Sequence, residues 1–150
     1  MITPTRIQRS RARGATTPEN TKYCGRPGKW GNPFVVSQAI KNPDRFVVYA
    51  VATNANLVQV YDDLLYMHGP CVFDTKREAQ AHAAFLFGCL IDAVPSQYPV
   101  HELAGFKHLS CWCKLGEPCH VDEILNRLNH IPDVGNMADH LPDAKKTISK

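Results

Sequence analysis

Lys107-His-Leu-Ser-Cys-Trp-Cys-Lys-Leu-Gly-Glu-Pro-Cys-His-Val-Asp-Glu-Ile-Leu125 decides how the chain is to be read. Leu109, Cys111 and Cys113 alternate with His108, Ser110 and Trp112, the period-two pattern of a strand over Lys107–Cys113. Lys114-Leu-Gly-Glu117 then breaks the pattern. Pro118 fits the first position of a helix, where its missing N–H costs nothing, and Ile124, Leu125 and Leu128 supply the apolar face. The stretch therefore predicts strand, loop and helix in immediate succession.

The same order recurs upstream. Arg6–Arg9 and Thr21–Cys24 are short strand candidates separated by Gly-Ala-Thr-Thr-Pro-Glu-Asn. The segment Cys24–Phe34 holds three glycines and two prolines, which excludes a helix or a central strand. Arg45–Ala52 is rich in valine and aromatics, Thr53–Asn56 reads as a turn, and Leu57–Tyr61 returns as the second strand of a hairpin. A helix competes there, because Leu57, Val60, Tyr61, Leu64 and Leu65 fall at helical spacing. The firmest helix opens at Thr75 with Glu78 as a capping box and runs to about Ala93. Its aromatic residues and Cys89 read as core.

Strands alternating with helices predict an α/β fold: one domain over 1–130 with a small mixed or parallel sheet, Rossmann-like, flanked by helices. A hairpin-like insertion is expected near 45–65 and a surface tail over 131–150. In parallel sheets ligands sit in loops beyond the carboxyl ends of strands. Both unusual loops, 24–34 and 113–120, follow a predicted strand, so parallel strands would place them at one edge.

Composition narrows the function classes. The chain has 150 residues, 44% of them hydrophobic and 21% charged, in the range of a globular domain. Its longest apolar run, Ala83–Ile91, is too short to span a membrane. No apolar signal segment opens the chain, which points to the cytoplasm, where six cysteines remain free thiols or bind metal. Residues 1–34 carry seven basic residues against one acid, whereas 35–150 carry ten against thirteen, so a net +6 faces a net −3. Such a field attracts nucleotides, nucleic acid or an acidic protein, with Arg6, Arg9, Arg11 and Arg13 as candidate contacts.

Two motifs carry candidate chemistry. In Gly25-Arg-Pro-Gly-Lys-Trp-Gly-Asn-Pro-Phe34, Arg26 can fork onto phosphate and Lys29 adds a point charge. Trp30 and Trp112 offer stacking faces, and Asn32 can read donors and acceptors. The core-plug alternative weighs more heavily for Trp30 and Phe34. In the second motif, Cys119 in the first turn of a helix would be thiolate-prone, with His120 as acid, base or hydrogen-bond partner and Asp122 close by. The alternative is zinc on Cys111, Cys113, Cys119 and His120, although the spacing lacks a Cys-x-x-Cys knuckle and adjacent Cys119 and His120 rarely reach one ion together, which leaves the distant Cys24 open as the fourth ligand. An inert thiol cluster is the bland third choice.

Together the GRPGKWGNPF loop and the LSCWCKLGEPCHVDEIL segment, with Phe73-Asp-Thr-Lys-x-Glu78-Ala79 between them, resemble the phage and bacterial domain-of-unknown-function family 4326 over about residues 6–129. Bulky Val121 departs from the small residue usual in that family at this point. The resemblance implies an α/β domain of phage or prophage origin, acting in the host cytoplasm, and supplies no activity. The residues themselves suggest a nucleotide-, nucleoside- or nucleic-acid-directed protein, with N-glycosidic cleavage or transfer as the first reaction class. A non-catalytic nucleotide-sequestering protein and a zinc-stabilised binder of nucleic acid or host protein are the alternatives.

Overall fold

In the computed structural model, which describes residues 3–130, the chain forms a mixed α/β domain with two three-stranded sheets around one long helix. The first sheet is parallel, with strand β1 (Thr5–Gln8) and strand β2 (Thr21–Tyr23) flanking strand β6 (His108–Cys111). Thr5 and Thr21 both pair with His108 across β6, so the three carboxyl ends emerge together. Leu109, Ser110 and Cys111 are all buried, as expected of a central parallel strand covered on both faces. Asn20 enters β2 at φ 59°, a left-handed conformation that asparagine tolerates. Its side chain donates to the Gly105 carbonyl at 3.1 Å.

The second sheet is antiparallel, in the order β3 (Phe34–Gln38), β4 (Phe46–Ala50), β5 (Val72–Phe73). Neither β3 nor β5 is apparent from local pattern. β3 starts at the last residue of the glycine-rich loop, and β5 is only two residues long. The hairpin expected at Leu57–Tyr61 is instead a 3-10 turn, Ala55–Leu57, leading into helix α1, Val58–Met67. The helical spacing wins because Leu57, Tyr61 and Leu64 are the buried positions. Tyr61 meets Phe34 edge-on at 5.9 Å. The partner of β4 is therefore β3 on one side and β5 on the other.

Helix α2 (Lys76–Ala93) is the spine. The Thr75 hydroxyl caps the helix by accepting from the Glu78 amide at 3.1 Å and donates to the Glu78 carboxylate at 2.8 Å. Ala79, Ala83, Leu86, Phe87, Leu90 and Ile91 are buried, whereas Phe85 is exposed and Cys89 half-buried. Helix α3 (His120–Asn129) lies against α2 where Gly88 leaves room, and Arg127 donates to the Gly88 carbonyl at 2.9 Å and to Asp92 at 2.8 Å. Pro118 is not the first helical residue: Cys119 is extended and forms the N-cap, so His120 opens the helix. No helix among the described residues is long and apolar enough to cross a membrane. The expected tail over 131–150 lies outside the described residues.

Candidate functional site

The two loops do meet at one edge of the parallel sheet. The glycine loop turns back on itself through Gly28 N–H to Gly25 O at 3.1 Å and Gly31 N–H to Gly28 O at 2.9 Å. A Cβ at Gly31 would lie 2.6 Å from the Arg26 nitrogen and 2.7 Å from its Cα, so the loop closes only with glycine there. Asn32 is buried, and both ends of its amide are occupied. Nδ2 donates to the Ala83 carbonyl of α2 at 3.0 Å, and Oδ1 accepts from the Phe34 amide at 2.9 Å. Asn32 therefore clamps the loop to α2 at the edge of the cavity it helps to line. Its own carbonyl accepts from Arg26 Nη1 at 2.7 Å, which aims the guanidinium.

Trp30 takes the core-plug role, and Lys29 leaves the cavity. Trp30 is 4% exposed and packs edge-on against Tyr98 at 5.7 Å, because the glycine turns direct its indole into the core. Lys29 lies on the far side of the loop, 3.6 Å from Glu102, and lines a separate recess with Asn54 and Gln97.

The second segment carries the reactive groups to the same edge. Cys111 ends β6, Cys113 follows in the turn, and Cys119 and His120 open α3. The Sγ atoms of Cys111 and Cys119 and a ring nitrogen of His120 all lie within 4.8 Å of one another. Cys111 Sγ and Cys113 Sγ are 3.6 Å apart, and Cys119 Sγ is 3.8 Å from His120 Nδ1. His120 Nε2 is 2.6 Å from the Cys24 carbonyl. That oxygen can only accept, so Nε2 carries the proton and Nδ1 presents a lone pair to the sulfurs. Phe87 meets the imidazole edge-on at 5.0 Å.

Burial lowers the pKa of His120 and keeps it neutral. Among the thiols, side-chain contact with Cys113 and Cys119 lowers the pKa of Cys111, and contact with Cys111 raises those two. Burial raises Cys24 to about 12, so it is an inert neighbour. The three sulfurs thus share their protons as one cluster, and Cys119, the expected thiolate, belongs to it.

Arg6 is the residue that local pattern does not single out. Its side chain is 9% exposed and reaches across from β1 to the Lys114 carbonyl at 3.3 Å, the Glu117 carbonyl at 3.2 Å and the Leu115 carbonyl, fixing the turn between Cys113 and Cys119. Its Nε lies 3.5 Å from Asp122. Burial works against its charge, but the neighbouring Cys119, Asp122 and Cys113 raise its pKa. Asp122 is thus an outward anchor for Arg6 and does not line the site with His120, and Arg6 is no free contact for nucleic acid.

Between the loops and α2 lies a cavity of about 490 Å³. Arg11, Arg26 and Lys76 supply charge, Tyr23 and Trp112 supply rings, and Cys111, Cys113, Cys119 and His120 form one wall. No carboxylate is among the described residues that line it, and none of its three cations forms an ion pair with a described residue. Trp112 is 38% exposed, with the guanidinium of Arg11 4.4 Å and that of Arg9 5.0 Å from its ring centroid, both within cation–π range. The structure thus gathers Arg26, Asn32, Trp112, Cys111, Cys113, Cys119 and His120, adds Arg11, Tyr23 and Lys76, and leaves Lys29, Trp30 and Asp122 outside.

No curated protein and no solved structure was found to match the chain. The family described as a domain of unknown function (DUF4326) matches residues 7–130, a span that includes both loops and every wall of the cavity. The chain belongs to that family.

Proposed function

We propose that the protein is a nucleotide-binding protein that holds its ligand in the cavity between the two loops. The observation that carries this reading is the concentration of Arg11, Arg26 and Lys76 around a wall without a carboxylate, beside a half-open indole. A phosphate brought there meets three cations that no described acid neutralises, and a flat base finds Trp112 and the guanidinium of Arg11 as stacking partners. The size suits one small ligand, within the usual range of roughly 300–1,000 Å³ for such sites.

N-glycosidic cleavage fits less well than retention, since the paired carboxylates such reactions commonly use are not among the described lining residues. A sequestering role in the cytoplasm of a phage-infected host follows from this reading. Calorimetric titration with nucleoside mono-, di- and triphosphates, nucleosides and inorganic phosphate tests it. Nucleotides should bind well above nucleoside or phosphate alone, and be recovered intact. Arg26→Ala and Lys76→Ala should each weaken binding by about tenfold or more, the worth of one charge-assisted contact. Nucleotides that give no heat at millimolar concentration, or affinities indifferent to both substitutions, would overturn the reading.

A further inference from the structure

We propose that Cys111, Cys113, Cys119 and His120 hold a zinc ion, with Arg6 as the outer-sphere partner that balances its charge. The argument for it does not use the nucleotide reading, although the same four residues form one wall of that cavity. A tetrahedral zinc with thiolate and imidazole ligands sets its donors about 3.8 Å apart between sulfurs and about 3.6 Å between sulfur and nitrogen. Two of the separations here already match these edges: 3.6 Å for Cys111–Cys113 and 3.8 Å for Cys119–His120 Nδ1. Cys111, Cys119 and His120 lie within 4.8 Å of one another, and Cys113, outside that trio, reaches it through Cys111 and would have to turn its side chain inward to be the fourth ligand.

Three further features fit a metal better than a bare thiol cluster. First, His120 donates Nε2–H to the Cys24 carbonyl, the outer hydrogen bond that fixes tautomer and ring orientation in metal-bound histidines. Nδ1 is left as a ligand lone pair, buried and with only sulfur beside it. Second, the side chain of Arg6 is more than nine-tenths buried, and its Nη1 has no oxygen or nitrogen partner. Three thiolates on a divalent ion leave one net negative charge, and this guanidinium is the cation placed to offset it. Third, the adjacent pair Cys119-His120 can serve one ion because Cys119 is extended while His120 begins the helix, which turns both side chains to the same side. That local geometry removes the objection raised by the irregular spacing. The ion would join the end of β6 to the start of α3, and Arg6 would join both to β1.

The test uses the full chain purified under reducing conditions, equilibrated with equimolar zinc and desalted. About one zinc per chain should be retained, and cobalt in its place should give thiolate-to-metal charge-transfer bands with the d–d bands of a tetrahedral site. Half-buried Cys113 should resist iodoacetamide with zinc bound and react after chelation. Cys119→Ser should lose the metal while Cys89→Ser keeps it. If Cys119→Ser does not fold, the cobalt spectrum and Cys113 protection of the unaltered chain decide the matter. A chain that keeps no zinc, a cobalt spectrum without thiolate bands, or equal retention by Cys119→Ser would overturn the assignment.

Discussion

Replacing Asn32 by alanine tests the claim that this residue is a clamp. In the folded chain its amide satisfies the Phe34 N–H at 2.9 Å and adds a bond to the Ala83 carbonyl at 3.0 Å. The two losses are unequal. The ladder bond beside Phe34 runs from the Val51 N–H to the Pro33 carbonyl, so the Phe34 N–H points away from β4. Orphaning it next to a buried ring costs about 1–3 kcal/mol. The Ala83 carbonyl lies inside α2 and keeps its bond within the helix, so its loss costs about 0.5–1 kcal/mol. Together, Asn32→Ala should destabilise by about 1.5–4 kcal/mol, or a melting temperature lower by roughly 5–16 °C for a domain of this size. Urea unfolding followed by circular dichroism measures it, with an unchanged m-value showing that the same surface is exposed. Asn32→Asp should not rescue, because it keeps the acceptor for Phe34 but turns an anion toward the Ala83 carbonyl. A loss for Asn32→Ala below about 0.5 kcal/mol, the size of an ordinary surface substitution, would refute the clamp.

Gly31→Ala brings its Cβ to 2.6 and 2.7 Å from Arg26 backbone atoms. Overpacking of that kind should cost at least about 1–3 kcal/mol. Gly105→Ala, with nothing within 4 Å of its Cβ, serves as the control that thermal melts should leave nearly unchanged. Burial among Phe73, at 5.0 Å, and Phe85, at 5.9 Å, lowers the pKa of His82, so the unfolded chain binds its proton first as pH falls. Its contribution is complete above the unfolded value of about 6.5 and is lost as pH drops from there toward the folded pKa. Urea midpoints between pH 7.5 and 5 should therefore fall less steeply in His82→Leu than in the unaltered chain, and equal slopes would remove His82 from the acid response.

Much of this fold can be read locally. Thr75 and Glu78 mark the start of α2 three residues apart, and the alternation around Leu109 marks β6. The meeting of the two loops also follows from simple inference, once strands are taken as parallel. What local pattern does not reveal is everything whose cause lies far along the chain. Leu57–Tyr61 has the composition of a strand, yet it is helical because Phe34 and the face of α2 await Tyr61 and Leu64. Trp30 and Asn32 look like ligand contacts in a glycine loop until Tyr98 and Ala83 arrive to absorb them. Arg6 shares its run with Arg9, Arg11 and Arg13, and only carbonyls more than a hundred residues later distinguish it. Asp122 is a poor partner for His120 on helix geometry alone, since residues two apart do not face one another, and it turns instead to Arg6.

The position of β6 between β1 and β2 has a consequence for assembly in time. Two edge strands made at the beginning have no partner in each other and wait for a middle strand synthesised about a hundred residues later. A nascent chain stalled before residue 108 has the arginine-bearing half of the cavity but no floor for it. Its antiparallel sheet and α2 can already pack, because their residues all precede that point. Charge pocket and sulfur cluster both draw on the last strand and helix, so neither is complete before these are in place.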